Sequence, residues 1–516
     1  MSNKIYPIGI QNFESLRRDG YFYVDKTALI YQMAKTGRYY FLSRPRRFGK
    51  SLLISTIEAY FRGKKELFEG LAIGELEKDW LEYPVLHLDL NIGKYDQPDS
   101  LDKILNEALL GWETLYGTRI GEDTLALRFK GVVNRAYKQT GHPVVILVDE
   151  YDKPMLQAIG NEELQREYRN TLKPFYGVLK TMDGCIKFAM LTGVTKFGKV
   201  SVFSDLNNLE DLSMWNEYVP LCGITDKELH ETLEAEMHEF AEAQRLTDEQ
   251  FRNKLREYYD GYHFTHNSVG LYNPFSLLNA FKRKEFGSYW FETETPTYLV
   301  ELLKKHRYNL ERMADEETDA QVLNSIDSES TNPIPVIYQS GYLTIKGYDE
   351  RFGIYRLGFP NREVEEGFVR FLLPFYANTN KVDAPFEIQN FVREVETGNY
   401  DAFFRRLQSF FADTPYELVR DLELHYQNVL FIVFKLMGFY TKVEYHTSEG
   451  RVDLVLQTNK YIYVMEFKLN GTAEEALQQI NEKQYALPFT ADSRKQFKIG
   501  VNFSTQMRNI ERWIVE

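Results

Sequence analysis

Tyr39-Tyr40-Phe41-Leu42-Ser43-Arg44-Pro45-Arg46-Arg47-Phe48-Gly49-Lys50-Ser51 is the stretch that decides the fold of the first part of this chain. Tyr39–Leu42 reads as a buried strand, the Pro- and Arg-rich run after it as a loop, and Ser51–Phe61 as a helix. A strand, a loop ending in Gly-Lys-Ser, and a helix are the context a phosphate-binding loop requires. Amides at such a helix N-terminus bind anionic phosphate beside Gly49, Lys50 reaches the outer phosphates, and Ser51 ligates magnesium. Arg44 stands where the G-x-x-x-x-G-K-[ST] spacing has its first glycine, which predicts a different backbone entry into the loop. Arg46 and Arg47 either compensate with charge or serve an unrelated salt bridge.

Working outward, Pro143-Val144-Val145-Ile146-Leu147-Val148 is a continuous apolar run, as a central parallel strand requires. It ends in Asp149-Glu150. There Asp149 would hold magnesium and Glu150 would orient an attacking water, with Asp152 as a substitute. A further strand, Lys187–Leu191, ends at Thr192, which suits either a polar sensor of the outer phosphate or a simple strand-end cap. Lys196, Lys199 and Arg46 are candidates for a charge-stabilising finger. Over the first ~220 residues strand-like runs, Val85–Leu90 among them, alternate with helical stretches such as Leu101–Thr114, the pattern of a parallel α/β sheet. From Asp226 to about Lys284 the pattern turns helical and charged. Residues 285–385 mix short strands with helices, and 386–420 look helical.

A second chemical signal lies near the end of the chain. Arg451-Val452-Asp453-Leu454-Val455-Leu456 and Tyr461-Ile462-Tyr463-Val464-Met465-Glu466-Phe467-Lys468 flank the turn Thr458-Asn459-Lys460 and read as a β-hairpin. Side chains alternate along a strand, so Glu466 and Lys468 share a face that Asp453, on the neighbouring strand, can reach. Two carboxylates suit a hard divalent ion such as Mg²⁺, and an ammonium beside them suits the water or phosphate to be activated. The bland reading is a solvated hairpin. Against it, the second strand is apolar around Glu466, and a buried strand rarely carries Glu and Lys unless they are paired or used. Softer candidates are Glu423, Gln479 and Lys483, and the histidines His425 and His446, although lone histidines more often pack or hydrogen-bond.

Composition bounds the rest. A chain of 516 residues, 43% hydrophobic and 15% aromatic, has room for about three domains. Two cysteines, Cys185 and Cys222, make no disulfide framework and fit a reducing cytoplasm. Met1–Pro7 has no signal-peptide pattern, and the apolar run Val429–Tyr440 is interrupted by Lys435 and too short to span a bilayer, so no membrane role is expected. A net charge of −13 argues against broad coating of nucleic acid. The segment from Asp421 onward is nearly neutral, and Lys483, Arg494, Lys495, Lys498, Arg508 and Arg512 could form a local basic surface there.

Tyr23-Val24-Asp25-Lys26-Thr27 together with Phe41–Ser51 resembles the bacterial AAA-ATPase-like family, in which a C-terminal PD-(D/E)XK nuclease-superfamily domain commonly follows. The nuclease match is Gly450-Arg451-Val452-Asp453 with Glu466-Phe467-Lys468, then Ala476–Ile480 and Tyr485. Tyr259-Asp260-Gly261-Tyr262 and Tyr272-Asn273-Pro274 resemble that family's middle region. Val452 stands where the nuclease name has proline. The resemblance implies an α/β protein: a P-loop NTPase parallel sheet with a helical lid, an α+β connecting region and a C-terminal restriction-endonuclease-like α/β domain. It implies that Lys50, Ser51 and Asp149 serve ATP and Mg²⁺, and that Asp453, Glu466 and Lys468 form a nuclease centre.

The expected domains are 1–225 (ATPase-like), 226–385 (helical lid and connection) and 386–516 (nuclease-like). The expected function is an ATP-binding protein, and an ATPase, whose nucleotide state controls a Mg²⁺-dependent nuclease. Its partner is nucleic acid, DNA before RNA, with a homo-oligomer or a protein partner also compatible. The alternative is a nucleotide-dependent interaction switch whose nuclease fold is a binding module without cleavage.

Overall fold

A computed structural model describes residues 4–196, 208–291, 297–323, 332–377, 379–380, 383–412, 422–448, 451–469 and 471–516, with backbone alone at 297–298, 445, 447–448 and 451–453. The chain divides into two compact units, one of residues 1–293 and 316–363, the other of 294–315 and 364–516. Among the described residues no helix is long and apolar enough to cross a membrane.

The first unit is built on strands β1 (Tyr39–Ser43), β2 (Val85–Asp89), β3 (Val144–Asp149), β4 (Ile186–Gly193) and β5 (Glu210–Asp211). They form one sheet in the order β2-β3-β4-β1-β5 with every neighbour parallel. Every residue of β3 is buried, which is why its sequence is an unbroken apolar run. β4 separates the strand feeding the Gly-Lys-Ser loop from the strand ending in Asp149. All three strand ends therefore open at one edge, over the start of the helix Lys50–Phe61.

Between the strands of the short antiparallel pair β6 (Ile224–Thr225) and β7 (Leu271–Tyr272) run the helices Asp226–Ala243 and Asp248–Tyr259, and with Pro274–Arg283, which follows β7, they share a core of Leu229, Leu233, Phe240, Phe251, Leu277 and Phe281. Thr225 with Glu228 and Thr247 with Gln250 make capping boxes at the first two helices. Asn273 caps the third, accepting from the Phe275 and Ser276 amides, which gives Tyr272-Asn273-Pro274 its role. A three-stranded antiparallel sheet, β8 (Glu316–Asp319), β10 (Ile354–Gly358) and β9 (Thr344–Asp349) in that order, completes the unit.

The second unit carries the sheet β11 (Lys442–Ser448), β12 (Arg451–Gln457), β13 (Tyr461–Leu469), β14 (Lys495–Ser504) and β15 (Asn509–Val515), in sequence order. β13 and β14 are parallel and the other pairs antiparallel. Period-two alternation along β13 assigns its two faces. On one face Tyr463 donates to the Val395 carbonyl at 2.7 Å, and Phe467 meets Phe404 and Phe434, so the helices Ala384–Glu396, Tyr400–Phe411 and Leu422–Gly438 cover that side. On the other face Ile462 and Val464 pack with Ile480 of the helix Ala473–Glu482. Residues 308–310 are tied in through buried Asn428, which accepts from the Leu310 amide at 2.9 Å and donates to the Tyr308 carbonyl at 3.1 Å.

Gly500 on β14, directly beside Glu466 in register, lets the helix Ala473–Glu482 approach the sheet. A Cβ there would lie 2.1 Å from the Ala473 carbonyl oxygen and 2.5 Å from the Leu477 amide nitrogen. Backbone cannot yield as a flexible side chain can. Gly500→Ala is therefore expected to cost at least about 2–3 kcal/mol. Urea denaturation of the full chain checks this, and an unchanged midpoint for the second unit would refute it.

Candidate nucleotide and nuclease sites

The Gly-Lys-Ser loop leaves β1 and turns into its helix at Gly49, the N-cap, with φ +96° in the left-handed region that glycine alone enters without steric cost. Lys50 is 4% exposed. Its ammonium lies on the loop, donating to the Arg44 carbonyl at 3.2 Å, and 3.3 Å from the Glu150 carboxylate. Glu150 takes up this position at φ +54°, an uncommon conformation for a side-chain-bearing residue and one that concentrates at functional sites. Ser51 follows, half-buried. Asp149 is buried and receives the Thr192 hydroxyl at 2.6 Å and the Glu150 amide at 3.1 Å. Thr192 thus spends its hydroxyl on orienting Asp149. The residues singled out on β1, β3 and β4 meet at one edge of the sheet.

Asp152 lies behind this edge, fully buried, accepting from the Val194 and Thr195 amides and the Thr195 hydroxyl. Burial, helped by the Glu150 charge, pushes its carboxyl up to about 6. Its hydrogen bonds hold the turn after β4. Lys196 is ion-paired with Asp211, and Lys199 lies outside the described residues.

Arg44 solves its irregular position by turning away from the loop. Its guanidinium is 1% exposed, donates to the Ser43 and Ser213 carbonyls at 2.9 and 2.8 Å, and lies 4.1 Å over the Phe264 ring. Burial holds it down at about 10. Arg46 contributes its carbonyl to the Trp290 indole at 3.0 Å, and the exposed Arg47 guanidinium stacks 4.8 Å over Phe275. Beside Gly49 opens an apolar cavity of about 100 Å³ lined by Phe22, Val24, Leu221, Ile224 and Leu278. Sequence reasoning missed it because its walls come from segments far apart in the chain, from Phe22 to Leu278. The Tyr23-Val24-Asp25-Lys26-Thr27 motif builds one wall. Asp25 accepts from the Thr27 and Ala72 amides, both at 2.8 Å, and Lys26 pairs with Glu228 at 2.5 Å.

In the second unit Asp453 stands directly opposite Glu466 in the β12–β13 register, and Arg451 opposite Lys468. Glu466 has no solvent exposure and Lys468 is half-buried. Both lie on the face covered by the helix Ala473–Glu482, near the C-terminal end of β13, where Thr472 and Glu475 cap that helix. Oxygen donors from two strands in register suit a hard divalent ion. Glu423 starts the helix Leu422–Gly438, which packs on the opposite face. Gln479 and Lys483 sit at the far end of their helix, where Asn481 meets Lys498, the register partner of Val464. His425 is buried on its helix, and burial holds its imidazole down at about 4. The expected basic surface is largely internally neutralised: Arg494 pairs with Asp492 at 2.6 Å, Lys498 with Glu516 at 3.2 Å and Arg512 with Glu474 at 2.8 Å.

Comparison with known proteins agrees with this layout. Residues 7–203 match the family described as "Predicted AAA-ATPase", and residues 421–513 match the PD-(D/E)XK nuclease superfamily. An uncharacterized protein in the vnfD 5' region of Azotobacter chroococcum mcd 1 is 36% identical over 537 residues, covering 100% of this chain and 99% of that protein. Among solved structures, the Aeropyrum pernix ORC2 protein (ADPNP–ADP complexes) aligns over 70% of this chain and 91% of its own at 12% identity, with a TM-score of 0.23, too low to carry structural inference. With a parallel nucleotide-loop sheet towards the start of the chain, a mixed α/β sheet bearing Asp453 and Glu466 towards its end, and a relative matched over 99% of its own length, the chain belongs to the predicted AAA-ATPase-like family and carries a PD-(D/E)XK nuclease-superfamily domain after the ATPase-like one.

Proposed function

We propose that this protein binds and hydrolyses ATP, and that its nucleotide state controls a Mg²⁺-dependent endonuclease acting on DNA. The observation that carries the nuclease reading is the register of Asp453 opposite Glu466, with Lys468 on the same face. By role, residues 1–225 bind nucleotide, 226–385 form the lid and connection, and 386–516 cleave. Mg²⁺ bound at Asp453 and Glu466 would supply Lewis-acid activation of water and of the phosphate oxygens. Lys468 positions the phosphate and offsets the charge that develops on it. At the other site Lys50 releases the Arg44 carbonyl to reach the outer phosphates, and Ser51 and Asp149, the latter steadied by Thr192, hold the nucleotide's magnesium. Glu150, freed from Lys50, orients water. Arg46 and Arg47 flank the phosphates, and the apolar cavity beside Gly49 takes the nucleoside. Two cysteines, too few for a disulfide framework, support a cytoplasmic setting.

Cleavage of supercoiled and linear DNA with Mg²⁺ or Mn²⁺, with and without ATP, tests the coupling. Wild type is expected to cut in a metal-dependent way, at a rate that ATP changes severalfold, and Lys50→Ala is expected to abolish only the ATP response. Cutting indifferent to ATP and to Lys50→Ala would sink the control mechanism. The complete burial of Glu466 favours a second reading, a nucleotide-dependent interaction switch in which the nuclease fold serves as a binding module. Under it no metal or nucleotide condition yields cutting.

A further inference from the structure

The sheet register extends the candidate cleavage site by one strand. His446 on β11 pairs with Asp453 on β12, and Asp453 pairs with Glu466 on β13. Residues directly opposite in a sheet share a face, with Cβ atoms about 5 Å apart. His446, Asp453 and Glu466 therefore occupy one row across three adjacent strands, and Gly500 continues that row on β14 without adding a side chain. The row is graded in exposure: Glu466 is fully buried, whereas His446 is exposed. In the next row of the register Ser448 pairs with Arg451, Arg451 with Lys468, Lys468 with Asn502 and Asn502 with Arg512, so half-buried Lys468 lies one row along from Glu466 on the same face.

We infer that His446 is a third, nitrogen-donating ligand of the divalent ion held by Asp453 and Glu466, which biases the site from Mg²⁺ towards Mn²⁺ or Co²⁺. The inference rests on the nuclease reading above. Mg²⁺ and Ca²⁺ take oxygen donors, while imidazole suits the later divalent ions, so one nitrogen ligand changes metal preference more than total affinity. His446 sits at the exposed end of the row, where an ion exchanges with solvent. His425, the other histidine of this region considered for metal, is excluded from the role by its burial on the opposite side of the sheet.

The test is Mn²⁺ titrated into the full chain, with bound ion counted by electron paramagnetic resonance and nitrogen coupling read by electron spin echo. Wild type is expected to show a ¹⁴N coupling from bound Mn²⁺. In His446→Gln the coupling disappears and Mn²⁺ affinity falls roughly tenfold, while Mg²⁺, measured by competition, changes less than about twofold. His446→Asp restores an oxygen ligand and is expected to recover Mn²⁺ affinity without the coupling, which separates ligand loss from misfolding. Mn²⁺ binding that needs Glu466 but shows no nitrogen coupling overturns the His446 assignment and leaves the nuclease reading standing. The absence of any Glu466-dependent Mn²⁺ binding overturns both.

Discussion

Glu466→Gln is expected to lower metal-dependent DNA cleavage by at least about a thousandfold, the scale of losing a group that holds the activating charge at a reaction centre. The amide is close in shape, so the packing of β13 against Ile480 and its neighbours persists, and the loss reads chemistry. Glu466→Ala is the harsher variant, since it also empties a fully buried site on a central strand. Lys468→Ala, at a half-buried position two residues along the same face, is expected to lose a similar factor with little change in stability. The decisive comparison is single-turnover cleavage beside urea denaturation. A folded Glu466→Gln protein cutting within about threefold of wild type would remove this row of residues from the mechanism.

The second large effect is expected at the loop. Lys50→Ala should weaken ATP binding by roughly a hundredfold or more, about 2.7 kcal/mol. Two terms act together. Removing the ammonium deletes the cation that the Gly-Lys-Ser loop itself brings to the outer phosphates, and it leaves the Glu150 carboxylate, held at φ +54°, facing the same space without its partner 3.3 Å away. Repulsion of the incoming phosphates then adds to lost attraction. Glu150→Gln in the Lys50→Ala background should recover part of the affinity, whereas Glu150→Gln alone should retain binding and stop turnover. Calorimetric titration of ATP into the four proteins gives the coupling. Equal affinity in wild type and Lys50→Ala would mean the nucleotide does not seat on this loop.

Local chemistry made much of this readable in advance. Buried parallel strands announce themselves as apolar runs, so Tyr39–Leu42, Val144–Val148 and the run ending at Thr192 fall on β1, β3 and β4. The short polar turn at Thr458–Lys460 sits between β12 and β13, which fixes Asp453 against Glu466. What stayed hidden depends on pairings distant in sequence. Nothing local says that β14 lies parallel to β13 with Gly500 beside Glu466, or that β11 brings His446 into that row. Arg44 looked like a defect in the loop because its compensation, the Ser213 carbonyl and the Phe264 ring, lies 169 and 220 residues away. The cavity beside Gly49 is hidden for the same reason.

The discontinuity of the two units has a practical meaning for anyone who cuts this gene. The chain passes from one unit to the other three times, after residues 293, 315 and 363. A C-terminal fragment begun at 386 would leave behind residues 294–315, and buried Asn428 would lose both the Tyr308 carbonyl and the Leu310 amide. Neither half is a bead that can be snipped from a string. Recombination at a single point would hand on an incomplete nuclease fold together with an interrupted ATPase-like one. The two units are therefore expected to travel together, and the Azotobacter chroococcum relative matches this chain across both of them, over 99% of its own length.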